Sequence, residues 1–282
     1  MVGFVFWLVP MDTRPLPAAT LQYLQSFAGI VVTGGSSGIG RALLRRIEES
    51  NPRAVVCNVS RTLPTDWPRL SNWHHLQTDL AEPAAIEAVA ATLQKLIGSE
   101  GTILLVNNSG FGAYGSFPAP GIAHHLRMMD VNTRAPVHLT GLLWPELLKR
   151  GGRVINVASV AGYQPVPLMA TYAATKAFLL NWSIALDEEG KTHGVRCTAI
   201  CPGPVATQFF RAAGFSQPTG LPGQTAEACV DEMLEAMVAD APERVTGLSN
   251  RLLSVLAARL PKAWAAAVGR RLIEHKLGTS AR

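Results

Sequence analysis

The chain has 282 residues, of which 48% are hydrophobic and 16% charged, where an ordinary globular domain carries roughly a quarter charged. That balance excludes a disordered chain, and Gly 25 with Pro 19 is too little for a collagen-like or low-complexity one. The formal charge is +5, but residues 251–282 carry seven basic side chains against one acid, Glu274, so the body is near neutral and no nucleic-acid partner is expected.

In chain order, Val2 to Val9 is apolar but lacks a basic flank and a small-residue cleavage site, and it is too short to span a bilayer. Residues 1–27 read as a loosely packed N-terminal extension, with a peripheral membrane anchor as the second reading. Ile30 to Val32 is a short β-branched run followed by Thr33-Gly34-Gly35-Ser36-Ser37-Gly38-Ile39-Gly40, then a helical pattern over Arg41 to Glu49. Ala54 to Val59 predicts the next strand. Leu76 and Gln77 lead into Asp79-Leu80, and Pro83 to Ile97 predicts an amphipathic helix. Ile103 to Val106 is a strand ending in Asn107-Asn108-Ser109-Gly110. His124 to Lys149 reads as helix, Arg153 to Val157 as a strand ending near Ser159, and Ala170 to Glu189 as helix. Val195 to Cys201 is a strand closed by Pro202-Gly203-Pro204. Ala226 to Ala239 is a further helix and Glu243 to Gly247 a last short strand. Strands alternating with helices predict an α/β fold, a doubly wound parallel sheet with helices on both faces. One domain is expected over about 28–250, followed by a basic amphipathic tail over 251–282. The four cysteines (Cys57, Cys197, Cys201, Cys229) form no C-x-x-C pair and read as buried thiols of a reducing cytoplasm; no metal site is expected.

Gly34, Gly38 and Gly40 stand between a strand and a helix. Glycines allow close backbone approach, and a helix N-terminus offers free N–H groups to a pyrophosphate. The spacing is G-x-x-x-G-x-G, which differs from the commoner G-x-G-x-x-G. Twenty residues after Gly40 stands Ser60, then Arg61, with no carboxylate there to bind a ribose 2′-hydroxyl. Arg61 suits a 2′-phosphate instead, and Ser36 and Ser37 add hydroxyl donors, so NADP(H) is expected over NAD(H). Tyr172 and Lys176 lie four apart on one helix face, 13 residues after Ser159. A nearby ammonium, together with an oxidised nicotinamide, is expected to lower the phenol's pKa and fit it for general acid–base work.

With these motifs in order, the chain resembles the short-chain dehydrogenase/reductase family over about residues 28–250. The matching segments are TGGSSGIG at 33–40, Asp79-Leu80, NNSG at 107–110, Ser159 with Tyr172-x-x-x-Lys176, and PGPVAT at 202–207. Within that family the wording FGAYGSF, VASVAGYQP and CPGPVATQFF is similar to a broad bacterial group named after the DltE type. The resemblance implies a Rossmann-type domain of about seven parallel strands that moves hydride between a nicotinamide and a carbonyl or alcohol. It implies that Asn132 completes a catalytic tetrad with Ser159, Tyr172 and Lys176 and holds a water in the proton relay. It also implies that Lys176 binds the nicotinamide ribose, that Asp79 and Leu80 contact the adenine, and that Asn107 lines the cofactor cleft. Ile39, Pro202 and Gly203 belong to the matching cofactor segments, and Thr207 would reach the carboxamide. Ser109 departs from the family's usual alanine.

The segments around Phe111 to Phe117, Gly162 to Met169 and Phe209 to Leu221 hold Phe111, Tyr114, Phe117, Tyr163, Val166, Leu168, Met169, Phe209, Phe210 and Phe215 with few charges, so an apolar carbonyl or alcohol substrate is expected. Phe209 to Gly223 could act as a lid. The tail mixes leucines, alanines and basic residues, broken by Pro261. It would pack on its own domain, on a second subunit, or on an anionic membrane surface. A homo-oligomer is expected, cytoplasmic, with membrane association left open by the tail. The alternative function is a non-catalytic nucleotide-binding or redox-sensing protein on the same fold.

Overall fold

The computed structural model describes residues 15–214 and 223–276. The first element is a helix that the sequence pattern did not announce, α1 (Ala18–Gln25). The sheet then opens with β1 (Phe27–Thr33), followed by α2 (Gly38–Ser50) and β2 (Val55–Ser60). A strand over Trp73–Gln77, β3, precedes α3 (Pro83–Leu96) and β4 (Thr102–Asn107). The predicted single helix over 124–149 is instead α4 (Ile122–Met129), a π turn over Asp130–Arg134, and α5 (Ala135–Arg150). Next come β5 (Arg153–Val157), a 3-10 turn over Val160–Tyr163, α6 (Ala170–Lys191) and β6 (Arg196–Cys201). The chain ends with α7 (Phe209–Ala212), α8 (Ala226–Val238), β7 (Glu243–Val245), α9 (Leu248–Arg259) and α10 (Lys262–Lys276).

The seven strands form one sheet in the order β3-β2-β1-β4-β5-β6-β7, every neighbouring pair parallel. Alternating side chains explain the near-continuous apolar runs, because both faces are covered. Ile30, Val32, Leu104 and Val106 pack with Leu43, Leu44 and Ile47 of α2 and Met233 and Leu234 of α8. Val31, Val59, Ile103 and Leu105 pack on the other face with Ile86 and Leu93 of α3 and Leu139, Leu143 and Leu147 of α5. Arg46 of α2 ties to Asp231 of α8 at 2.9 Å.

α1 joins the first of these layers. Leu24 is fully buried there, and the amide of buried Asn51 donates to the carbonyls of Leu24 (2.8 Å) and Phe27 (2.9 Å). The tail divides at Pro261, where a helix cannot continue without losing a backbone bond, into α9 and α10.

Candidate active site

The carboxyl ends of the central strands open onto one cavity of about 570 Å3, within the usual size of cofactor and ligand sites. Topology puts it there. β1 has β2 on one side and β4 on the other, so the loops leaving β1 and β4 diverge and leave a crevice.

One half of the cavity is built on the glycine turn. Gly34 and Gly38 have φ of +70° and +55°, a region that L side chains rarely adopt. Gly40 is helical but has no room for a side chain: a Cβ would lie 2.4 Å from the Asn108 amide nitrogen and 2.5 Å from the Gly34 carbonyl oxygen. The Asn108 amide donates to the carbonyls of Thr33 (2.9 Å) and Gly34 (3.1 Å), and the Thr33 hydroxyl accepts from the backbone N–H groups of Asn108 and Ser109, both at 3.0 Å. The turn after β1 is thereby bolted to the turn after β4. Ser36, Ser37, Gly38 and Ile39 line the cavity, and Ser37, the residue before α2, makes no side-chain cap, leaving the first N–H groups of the helix without an intrahelical partner.

Ser60, Arg61 and Thr62 after β2, and Thr78, Asp79 and Leu80 after β3, form the outer wall. Asp79 accepts from the Ala81 backbone N–H (3.0 Å) and pairs with Arg127, which also lines the cavity. Burial pushes the Asp79 carboxyl up, but the bonds from Arg127 and Ala81 outweigh it and hold the group below its ordinary value. Arg61 is exposed at the rim. A dinucleotide fits this half: the glycine cradle has no space for Cβ atoms, a helix N-terminus stands at its centre, and a guanidinium stands at its outer end.

The other half holds Ser159, Tyr172 and Lys176, with Pro202, Gly203 and Thr207 across from them. Ser159 follows β5 and caps the 3-10 turn, its hydroxyl accepting from the Ala161 N–H at 3.2 Å and donating to the Pro202 carbonyl at 3.4 Å. Tyr172 is buried on α6 and lines the cavity with Ser159, which bears on its phenol. Lys176, one turn on, donates to the Val157 carbonyl at 2.7 Å, and its ammonium lies 5.9 Å from the Tyr172 ring centre. The expected lowering of the phenol pKa is not what this geometry produces. Burial pushes Tyr172 up to about 12, Ser159 opposing it, while burial brings Lys176 down to about 8. Burial this deep shifts each group toward its neutral form.

Asn132 is fully buried inside the π turn. Its amide oxygen accepts from the Phe111 N–H (3.1 Å), and its nitrogen donates to the Phe111 carbonyl (2.9 Å) and the Thr175 hydroxyl (3.1 Å). A Cβ on Gly110 would lie 3.2 Å from the Asn132 oxygen and 3.3 Å from the Lys176 ammonium, so a side chain there would crowd both.

Of the residues singled out from the sequence, Asn107, Gly40 and Asn132 do not line the cavity. Asn107 points instead into the layer below, donating to Thr140 (3.0 Å) and Asn156 (2.8 Å). The cleft position expected for it is taken by Asn108, the second asparagine of the same motif. Arg127 was missed, and nothing in its local pattern marks it. Among the aromatic and apolar candidates, Phe111, Val166, Met169, Phe209 and Phe210 line the cavity, the Phe209 ring 5.3 Å from that of Tyr172. Tyr163 instead turns its hydroxyl to Glu243 at 3.2 Å, and Phe117 is exposed against His125. Tyr114 and Leu168 lie outside the lining, Phe215 and most of the suggested lid lie outside the described residues, and so does the apolar segment at 2–9. Among the described residues no cluster of His, Cys, Asp and Glu could hold a metal ion, and all four cysteines are free and buried.

The short chain dehydrogenase family model matches residues 28–216. A protein named Serine 3-dehydrogenase from Agrobacterium fabrum is 33% identical over 184 residues, covering 64% of this chain and 73% of its own. The uncharacterized oxidoreductase YbbO of Escherichia coli is 31% identical over 231 residues, covering 76% and 82%. Among solved structures, a short-chain dehydrogenase from Sphingobium yanoikuyae in complex with NADPH superposes with a TM-score of 0.67 at 28% identity, covering 83% of this chain and 93% of that one.

Proposed function

The chain belongs to the short-chain dehydrogenase/reductase family, whose members oxidise alcohols and reduce carbonyls, and from that premise we propose that it is an NADP(H)-dependent reductase of apolar carbonyl compounds with Tyr172 as its proton donor. The carrying observation is a cavity with the glycine turn at one end and, at the other, a buried tyrosine lining it with Ser159, one helical turn from a buried lysine.

A nicotinamide dinucleotide supplies hydride when bound. The glycine turn and the α2 N-terminus would hold its pyrophosphate, Asp79 and Leu80 its adenine, and Thr207 its carboxamide. Ser159 donates a hydrogen bond to the substrate oxygen, stabilising the charge that develops there as the carbonyl is reduced. Tyr172 gives that oxygen its proton; a phenol kept neutral by burial is in the correct form for reduction at pH 7. Lys176 would reach the nicotinamide ribose. Asn132 would keep the relay in order, since it pins the Phe111 backbone and, through Thr175, α6. Phe111, Val166, Met169, Phe209 and Phe210 exclude water from the reacting end and select apolar substrates.

NADP(H) preference rests on Arg61 at the rim and on the lack of a carboxylate at the end of β2. The NADPH complex of the Sphingobium relative is in keeping with it. A homo-oligomer is supported by exposed Phe178 of α6, stacked on half-buried Trp182 (ring centres 6.5 Å apart), and by exposed Leu126 and Met129 of α4. A cytoplasmic location is supported by the free thiols. The non-catalytic alternative loses its ground where Ser159, Tyr172 and Lys176 are all present and assembled.

The test is NADPH consumption over a panel of medium-chain and polycyclic ketones, repeated with Tyr172→Phe. The expected outcome is a kcat lowered by about three orders of magnitude with the NADPH Kd changed less than about threefold. Unchanged turnover on an accepted ketone would remove Tyr172 from the mechanism.

A further inference from the structure

The two C-terminal helices are inside out. On α9 the one buried residue is Ser254, 6% exposed, whose hydroxyl is satisfied within the helix by the Arg251 carbonyl at 2.9 Å. Leu248, Leu252, Leu253, Val255, Leu256 and Leu260 are exposed, Leu248 at 80%. At 100° per residue those six side chains fall within roughly half the helix circumference, opposite Ser254. α10 repeats the pattern. Ala265 is buried and Gly269 sits near Pro167, where a Cβ would meet the proline at 3.7 Å, while Trp264 is 70% exposed and Val268 also faces out. A helix serving only its own domain would turn its leucines inward and its serine outward.

The same outer surface carries exposed Arg259 and Arg271. This charge decides the occupant. A second copy seated on this face about a two-fold axis would bring these cations towards their own images in a desolvated seam. An anionic lipid surface answers both features, taking the leucines and the tryptophan into the headgroup boundary and pairing the cations with phosphates.

We propose that α9 and α10 form a peripheral membrane-binding surface for anionic lipid. No described helix is long and apolar enough to cross a membrane, so the contact is a helix pair lying on the bilayer. The subunit association proposed for α4 and α6 would use other faces and leave this one open. The proposal goes beyond the reductase reading and holds whatever the substrate is.

The experiment is co-sedimentation of the full chain with vesicles of phosphatidylglycerol and phosphatidylcholine, and with phosphatidylcholine alone, at low and high salt. Binding to the anionic vesicles at low salt is expected, weakened by salt and weaker on the zwitterionic ones. The variant pair Leu252→Ser with Trp264→Ser, and separately Arg259→Glu with Arg271→Glu, should each lower the partition coefficient by about tenfold or more, with NADPH turnover unchanged. The charge-reversal pair keeps the test open should the serine pair fold poorly. Absence of binding to anionic vesicles at low salt overturns the proposal, as does binding that both variant pairs leave intact. A light-scattering mass that drops to a smaller assembly in the serine pair makes the face a subunit interface and overturns it too.

Discussion

At the scale of single residues, burial moves the two titratable groups of the site in opposite directions. Tyr172 holds its proton to about 12, and Lys176 is brought down to about 8 by the same desolvation. The opposite end of the cavity lining holds two guanidiniums, Arg127 paired with Asp79 and Arg61, and Arg61 is the informative one. Arg61 stands at the rim after β2, where a ribose would lie if the glycine turn holds the pyrophosphate. Arg61→Ala should lower the ratio of kcat/KM with NADPH to that with NADH by about tenfold or more, since a guanidinium paired with a 2′-phosphate is worth a charge-assisted hydrogen bond or two. Equal ratios in the parent and the variant would show Arg61 to be a solvated loop charge. Asn107 and Asn108 make a related point. Both stand in one motif, yet strand register sends the first into the layer below, to Thr140 and Asn156, and the second to the glycine turn.

At the scale of elements, the glycine turn and α2 work as one piece because nothing separates them. A methyl at position 40 would meet backbone oxygen at 2.5 Å, and backbone cannot swing aside as a flexible side chain can. Gly40→Ala should lower the unfolding free energy by about 1–3 kcal/mol in urea titration and weaken NADPH binding at the same time. A variant with parent affinity for NADPH would mean that the turn can spread without cost to the cradle. The break in the predicted 124–149 helix has a similar cause. The π turn at Asp130–Arg134 puts Asn132 inward, where it replaces backbone partners for Phe111. The apolar pattern runs unbroken through that segment, so the register shift was invisible until Phe111 was seen beside it. α1 escaped notice for another reason: its sequence, AATLQYLQ, is short and weakly periodic, and Leu24 is held by α8 and Asn51 rather than by helix propensity.

At the scale of the whole molecule, the core buries four thiols, three on strands and one on α8. Burial pushes Cys57, Cys201 and Cys229 up to about 12, and Cys197 upward as well. A thiol whose folded pKa is raised stabilises the fold fully below its unfolded value of 9.0, and that stability drains away as pH climbs from there towards 12. Lys176 acts the other way, its burial cost easing between about 8 and its unfolded 10.5, but it is one group against four. The unfolding free energy should therefore fall above about pH 9. Cys57→Ala, whose shift has desolvation as its single cause, should make that fall shallower by up to about 1.4 kcal/mol per pH unit. Identical slopes in the parent and Cys57→Ala would place that thiol in contact with water.

The alternation of strand and helix, the glycine turn, and the Ser–Tyr–Lys spacing could all be read before any coordinates. Each is a local pattern: apolar runs buried on two faces, glycines where a helix N-terminus must come close, and two side chains one helical turn apart. Contacts between distant segments settled the rest. Which asparagine lines the cleft depends on how β4 sits against β1 and β5. The protonation of Tyr172 depends on how deeply α6 is covered, which the spacing to Lys176 does not show. Even the outward turn of the leucines in α9 was a matter of which side of a short helix the domain accepted, a choice that composition leaves open because a serine and a leucine can exchange faces without altering it.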